Sequence, residues 1–143
     1  MNIITSGTSE PGEISLHLQV NYHMITDDIL LRIIAIFFGS MGLVHFVFGK
    51  TLKKYAIEAD LLNANVAVKM SGAVLIISSI ALLIPKYVER GFYGLCLFLV
   101  ISSLVQHKFW AKNTALDQLT ELLHFSKNLL IAILLWYLKD QFS

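Results

Sequence analysis

Eight side chains carry most of the chemistry this sequence can offer: Arg32, His45, Lys69, His107, Trp110, His124, Lys127 and Asn128. They lie in or beside stretches that are otherwise almost wholly apolar. In hydrocarbon a charged side chain costs about 2.5–3.5 kcal/mol on insertion scales, so each one needs a physical reason to be there. The densest group is Glu121-Leu122-Leu123-His124-Phe125-Ser126-Lys127-Asn128. Spacings of three and four put Glu121, His124, Lys127 and Asn128 on one face of a helix. So polar a face does not rest against lipid; it looks into a bundle interior, a cavity or a partner. Two roles suit it: a polar network that fixes packing, or one wall of a small-molecule site. His45 closes the stretch Gly39-x-x-Gly42-x-x-His45. Its glycines admit a neighbouring helix, and the histidine then either packs or hydrogen-bonds across the bundle. Arg32 and Lys69 each face a choice between snorkelling to the headgroups and turning inward. The pairs Ser78-Ser79 and Ser102-Ser103 more often bond back to their own helix than to a ligand.

Several chemistries are disfavoured. Haem would draw on His45, His107 and His124, but there is no C-x-x-C-H motif and no helix with two suitably spaced histidines. Zinc asks for several His, Cys or carboxylate ligands together, and no such spacing occurs. The single cysteine, Cys96, forms no disulfide or redox pair within the chain. No acid stands in the middle of an apolar run, which argues against a proton-coupled pump. A net charge of +1 provides no basic field for nucleic acid.

These residues need elements to position them. At 143 residues the chain allows one domain. Apolar residues make up 56% and charged residues 15%, against about 45–50% and 25% in soluble proteins. About 20 apolar residues cross a bilayer as a helix. Four runs meet or approach that length: Ile29 to Phe48, Ala64 to Ile84, Phe92 to Val105 extended to Trp110, and Leu119 to Leu138. Thr26-Asp27-Asp28 offers an N-cap for the first, and Asn113 to Asp117 one for the fourth. Short links make consecutive spans antiparallel, and the longest, Lys50 to Asn63, has room for an interfacial helical turn. The expectation is an all-α, antiparallel four-helix membrane bundle over residues 26–140, preceded by a short extended tail over residues 1–25.

In that tail Ile14, Leu16, Leu18, Val20, Tyr22 and Met24 alternate with polar residues, the period of a strand. A lone strand has no partner here. The segment therefore reads as a disordered or surface-lying tail, as sequence upstream of a start at Met24, or as a strand added to a partner. Lys50, Lys53, Lys54, Lys108 and Lys112 fall on one side of the membrane, and Lys86, Arg90, Lys139 and Arg32 on the other. Positive residues favour the cytoplasm, so this balance leans toward both termini lying outside, with a bacterial inner membrane as the expected location.

The order of these motifs resembles the DoxX family of small four-helix membrane proteins, from about Ile29 to Leu138. Arg32 followed by Gly39, Gly42, His45, Phe48 and Gly49 is similar to the family's first helix. Lys69-Met70-Ser71-Gly72 is similar to its K-x-x-G start, and His107-Lys108-Phe109-Trp110 to its H-x-F-W element. His124-Phe125-Ser126-Lys127-Asn128-Leu129 is similar to its H-F-x-K-N-L stretch. The chain departs from the pattern at Ala73, Val74 and Leu75, where members often carry a glutamate. It departs again at Leu130-Ile131-Ala132-Ile133, where glycines are usual. Some relatives are subunits of a thiosulfate:quinone oxidoreductase, and others belong to complexes that handle thiol and oxidative stress. The resemblance implies the membrane subunit of a quinone- or thiol-linked redox system, working with a soluble or membrane redox partner and without demonstrated catalysis of its own. In that role His45, His107, His124, Lys127 and Asn128 would hydrogen-bond a quinone, Phe109 and Trp110 flank its ring, and Lys127 or Arg32 offset negative charge on it. The alternatives are a non-catalytic scaffold or assembly factor, and a small lipid- or solute-binding carrier. A homo-oligomer is compatible with each.

Overall fold

In the computed structural model, residues 11–142 are described, with side chains from residue 28 onward. Every regular element among them is helical: α1 (Pro11–Val47), α2 (Gly49–Glu58), α3 (Ala64–Leu82), α4 (Val88–Gln106) and α5 (Ala115–Phe142), with short 3-10 turns at Pro85–Tyr87 and Phe109–Ala111. Four of these helices are long and apolar enough to cross a membrane. Their outward surface is greasy: Val47, Ile36, Ile77 and Leu130 are 73%, 70%, 67% and 65% exposed. Water would not tolerate so continuous an apolar exterior on a monomer, whereas lipid does. The chain is a multi-pass membrane protein.

The four-helix, all-α arrangement agrees with the sequence reading, and the element ends refine it. Helix α3 begins at Ala64 because the Asn63 side chain accepts the Val66 N–H at 3.2 Å, a standard N-cap bond. Helix α5 begins at Ala115, ahead of the apolar run. Thr114 Oγ1 accepts the Asp117 N–H at 3.1 Å and donates to the Asp117 carboxylate at 2.7 Å. Helix α4 begins at Val88, so Gly91 lies inside the helix rather than in the link. The linker after α1 forms a full amphipathic helix, α2. It ends at Glu58, and two residues on, Asp60, with a φ of 59°, turns the chain sharply.

The tail differs from the expectation of an extended segment. Helix α1 starts at Pro11, so the segment from Pro11 to Ile25 is helical, while residues 1–10 lie outside the described residues. The physical reason is visible in the sequence. Residues two apart in an alternating pattern are also four apart in pairs, such as Ile14, Leu18 and Tyr22, and this spacing suits a helix equally. Proline is favourable in the first helical position, and after Gly12 no Gly or Pro follows until Gly39. The chain therefore needs no cap at Thr26-Asp27-Asp28. Asp28 instead accepts from Arg32 Nε at 2.8 Å, one turn on.

The spans pack in chain order, α1 on α3, α3 on α4 and α4 on α5, while α1 and α5 are not a closely packed pair. Two glycine contacts set this arrangement. At Gly42 an added Cβ would stand 2.9 Å from the Gly72 carbonyl oxygen, and at Gly72 one would stand 2.8 Å from His45 Cβ. Here the backbones of α1 and α3 touch. Near the other end, a Cβ on Gly91 would stand 2.8 Å from the Ser78 carbonyl oxygen, and one on Gly94 would strike the Ser78 hydroxyl, so α3 and α4 touch there. Phe92, Leu75, Leu82 and Leu95 fill the core around this second crossing. Two of the buried serines bond back to their own helices, Ser79 to Leu75 O and Ser103 to Leu99 O, both at 2.7 Å.

Gly72→Ala is expected to destabilise the bundle by about 1–3 kcal/mol through overpacking against backbone. Gly49→Ala should be neutral, since a Cβ there meets nothing within 4 Å. Thermal unfolding of both variants in mild detergent checks the contrast; equal midpoints would refute the glycine seam.

Candidate functional site

The polar side chains gather at one end of the bundle, where α1 ends, α3 begins, α4 ends and α5 begins. They do not form a single cluster. They line two adjoining cavities that share Tyr55 and Gln106 as a common wall.

The outer cavity, about 440 Å³, is interfacial and polar. His107 caps the end of α4, and its Nδ1 lies 2.8 Å from Glu121 Oε2 on α5. A carboxylate accepts, so Nδ1 carries the proton. The His107 ring stacks on His124 with centroids 5.4 Å apart. Lys112 Nζ stands 3.4 Å from the other Glu121 oxygen. Lys108 donates to the Ala59 carbonyl at 3.1 Å, fastening the end of α2 to the loop after α4. The three elements are thus tied by bonds that largely satisfy one another.

The inner cavity, about 420 Å³, lies within the bundle and takes residues from all five helices. That volume falls within the range of small-molecule sites, about 300–1,000 Å³. His45, Lys127, Asn128, Ser102 and Gln106 contribute its polar atoms, and Phe38 and Phe98 stand among its aromatic walls. His45 Nδ1 lies 2.8 Å from the Met41 carbonyl oxygen. A carbonyl only accepts, so Nδ1 bears the proton and Nε2 of the neutral ring is left as an acceptor. The imidazole stands edge-on to Phe98 at 6.4 Å. Lys127 and Asn128 make no hydrogen bond or ion pair with any described residue. The Lys127 side chain is exposed, on the side where α5 and α1 fail to close. Polar groups therefore converge on this space without pairing with each other, unlike those of the outer cavity.

The sequence-derived candidates separate accordingly. His45, Lys127 and Asn128 come together in the inner cavity, and His107 and His124 in the outer one. Lys69 is exposed on the first turns of α3. Trp110 is exposed beside Phe109, ring to edge at 5.0 Å. Arg32 lies at the opposite end of the bundle, paired with Asp28 and near Phe142. Sequence reasoning passed over Tyr55, Phe98 and Gln106, and read Ser102 as bonding back to its own helix, which it does, to Leu99 O at 3.1 Å. The signal for three of them is the spacing Phe98, Ser102, Gln106, which is i, i+4, i+8 on α4. Among the described residues no group of three His, Cys, Asp or Glu is placed to hold a metal ion. The inner cavity instead offers hydrogen bonds and one cation to an organic group. Comparison with protein-family models, curated proteins and solved structures finds no match.

The His107–Glu121 bond predicts a measurable coupling between α4 and α5. A double-mutant cycle with His107→Ala and Glu121→Ala should give about 0.5–3 kcal/mol. The more exposed Lys112–Glu121 pair should give under about 1 kcal/mol. A cycle with no coupling at His107 would leave this bond without a structural role.

Proposed function

We propose that the protein is the membrane subunit of a redox system and that its inner cavity holds the head of a quinone. One observation supports this above the rest: the unpaired Asn128 amide and Lys127 ammonium, near the middle of α5, border the same apolar-walled space as the Nε2 acceptor of His45. Asn128 is half-buried and borders the cavity, so its amide is available to a group that enters there. A quinone head fits these residues. Asn128 and Lys127 donate to its carbonyl oxygens, His45 Nε2 accepts from the hydroxyl of the reduced form, and Phe38 and Phe98 give the ring flat apolar walls. The quinone itself supplies the two-electron, two-proton chemistry; the chain binds and orients it. Lys127 holds positive charge where negative charge would gather, and the ring nitrogen of His45 holds or receives a proton. The resemblance to DoxX proteins points the same way, and with it comes a redox partner that delivers or removes the electrons.

A scaffold role has its own support in the outer cavity, where His107, Glu121 and Lys108 tie α2, α4 and α5 together. In the proposed arrangement that network braces the inner site. We also propose that the end bearing Lys50, Lys53, Lys54, Lys108 and Lys112 faces the cytoplasm of a bacterial cell, which puts both termini outside. A periplasm-active reporter fused to the C-terminus should be active; activity of a cytoplasm-specific reporter there would reverse the assignment.

Stability and binding distinguish the site from a packing network. Purified in mild detergent, the protein is expected to carry quinone detectable by extraction and mass spectrometry. Asn128→Leu and Lys127→Leu should lose it at least about tenfold, an affinity change of about 1.4 kcal/mol, while melting at or above the parent temperature. Arg32→Ala, at the far end, should keep it. If the α5 variants retain quinone, or if they merely unfold, the binding role is wrong.

A further inference from the structure

A third cavity, about 320 Å³, opens on the outer face of the α3–α4 pair. It shares six wall residues with the inner cavity: Leu61, Ala67, Ser71, Phe98, Ser102 and Gln106. The same side chains thus front the bundle interior on one side and the membrane on the other. The reason lies in the packing. Helices α3 and α4 touch at Gly91, Gly94 and Ser78, toward one end. Toward the other end the facing residues Ala67, Ser71 and Ser102 are too small to fill the gap. Beyond this shared wall, here called the window, runs a groove walled by Met70, Val74, Leu97 and Ile101. Met70, Leu97 and Ile101 are all at least half exposed to the membrane.

We infer that the α3–α4 groove is the channel for the hydrocarbon tail of an amphiphile whose head occupies the inner cavity; this rests on the quinone reading above and adds to it that the natural ligand is long-tailed. Continuity with the head site selects this occupant. The competing exit, between α1 and α5, is rimmed by Lys127, and an alkyl or isoprenoid chain laid against an ammonium would strip it of hydration. The α3–α4 groove beyond the window presents carbon almost throughout, so a tail there costs nothing in polar desolvation. The window also acts as a filter: its small residues admit a thin chain and hold back a ring. Ala67, Ser71 and Ser102 are therefore specificity-determining residues for a thin chain against a ring, as distinct from the head-binding His45, Lys127 and Asn128.

The test compares two probes on the full-length protein in mild detergent: 2,3-dimethoxy-5-methyl-benzoquinone without a tail, and the same ring carrying a long isoprenoid chain. Parent protein should bind the long-tailed probe at least about tenfold more tightly. Val74→Phe and Ile101→Phe fill the groove without touching the head cavity. They should reduce that preference to within about twofold and leave tail-less binding unchanged. Unaltered preference in both variants overturns the tail channel while the head site stands, and binding of neither probe by the parent protein overturns both readings. A second measurement avoids substitution altogether. A long-tailed quinone with a diazirine on its tail should label Met70, Val74 or Ile101 on irradiation; labelling of Phe37 or Met41 would place the tail in the α1–α5 seam instead.

Discussion

The structure hangs on a place where two backbones meet without side chains between them. In lipid, apolar surface gains nothing by facing protein rather than acyl chains, so helix association depends on close van der Waals contact and interhelical polar bonds. Gly42 and Gly72 supply that contact for α1 and α3, close enough that either Cβ would meet backbone or the root of His45. Gly91 and Gly94 supply it for α3 and α4 at the other end. Helix α3 is therefore gripped on two sides at two heights. The inner cavity and the α3–α4 groove both adjoin the half of α3 that lacks a glycine contact with α4.

The polar residues follow from the same geometry. A carboxylate or imidazole near the headgroups is solvated cheaply, and there His107 and Lys112 bond to Glu121 while Lys108 bonds to the Ala59 carbonyl. At the opposite end Lys139 plays a comparable part, close to Glu89 and Asp140 and over the rings of Tyr93 and Trp136. Aromatic and cationic side chains of this kind fix helix ends at the membrane interface. Asn128 and Lys127 belong to neither group. They sit about 20 Å along α5, at about 1.5 Å per residue, where water is scarce.

Much of this could be read from the chain alone. The length and apolarity of the four spans follow from bilayer thickness, and the start of α5 from the cap within Asn113 to Asp117, supplied by Thr114. The glycine spacing ahead of His45 announced a close neighbour, and Gly42 has one. Less legible was how the polar stripe of α5 divides. Spacings of three and four place residues on one face but say nothing of their height relative to other helices. Glu121 and His124 thus reach one cavity, and Lys127 and Asn128, one to two turns further along, reach another. Arg32 shows the same blindness: it is 13 residues from His45, about 20 Å along the same helix, and so belongs to the other end. Tyr55 was hidden because its helix, α2, is short and polar, and its contribution comes from folding across the mouth of the bundle. The helical run from Pro11 was obscured because alternation and four-residue spacing coincide.

The contrast between the two polar cavities bears on what the inner one is for. A network that exists to fix packing closes on itself, because every unsatisfied group weakens the structure it serves. The outer cavity has this character, with His107 on Glu121 and Lys108 on the α2 carboxyl end. The inner cavity does not. His45 spends its proton on its own helix, and Asn128 and Lys127 bond to no described residue. Larger apolar side chains at those positions would fill the space and bind the helices more firmly. A sequence that keeps an amide, an ammonium and an imidazole there gives up stability at this point. The loss has a physical rationale if the missing partner is a molecule that comes and goes.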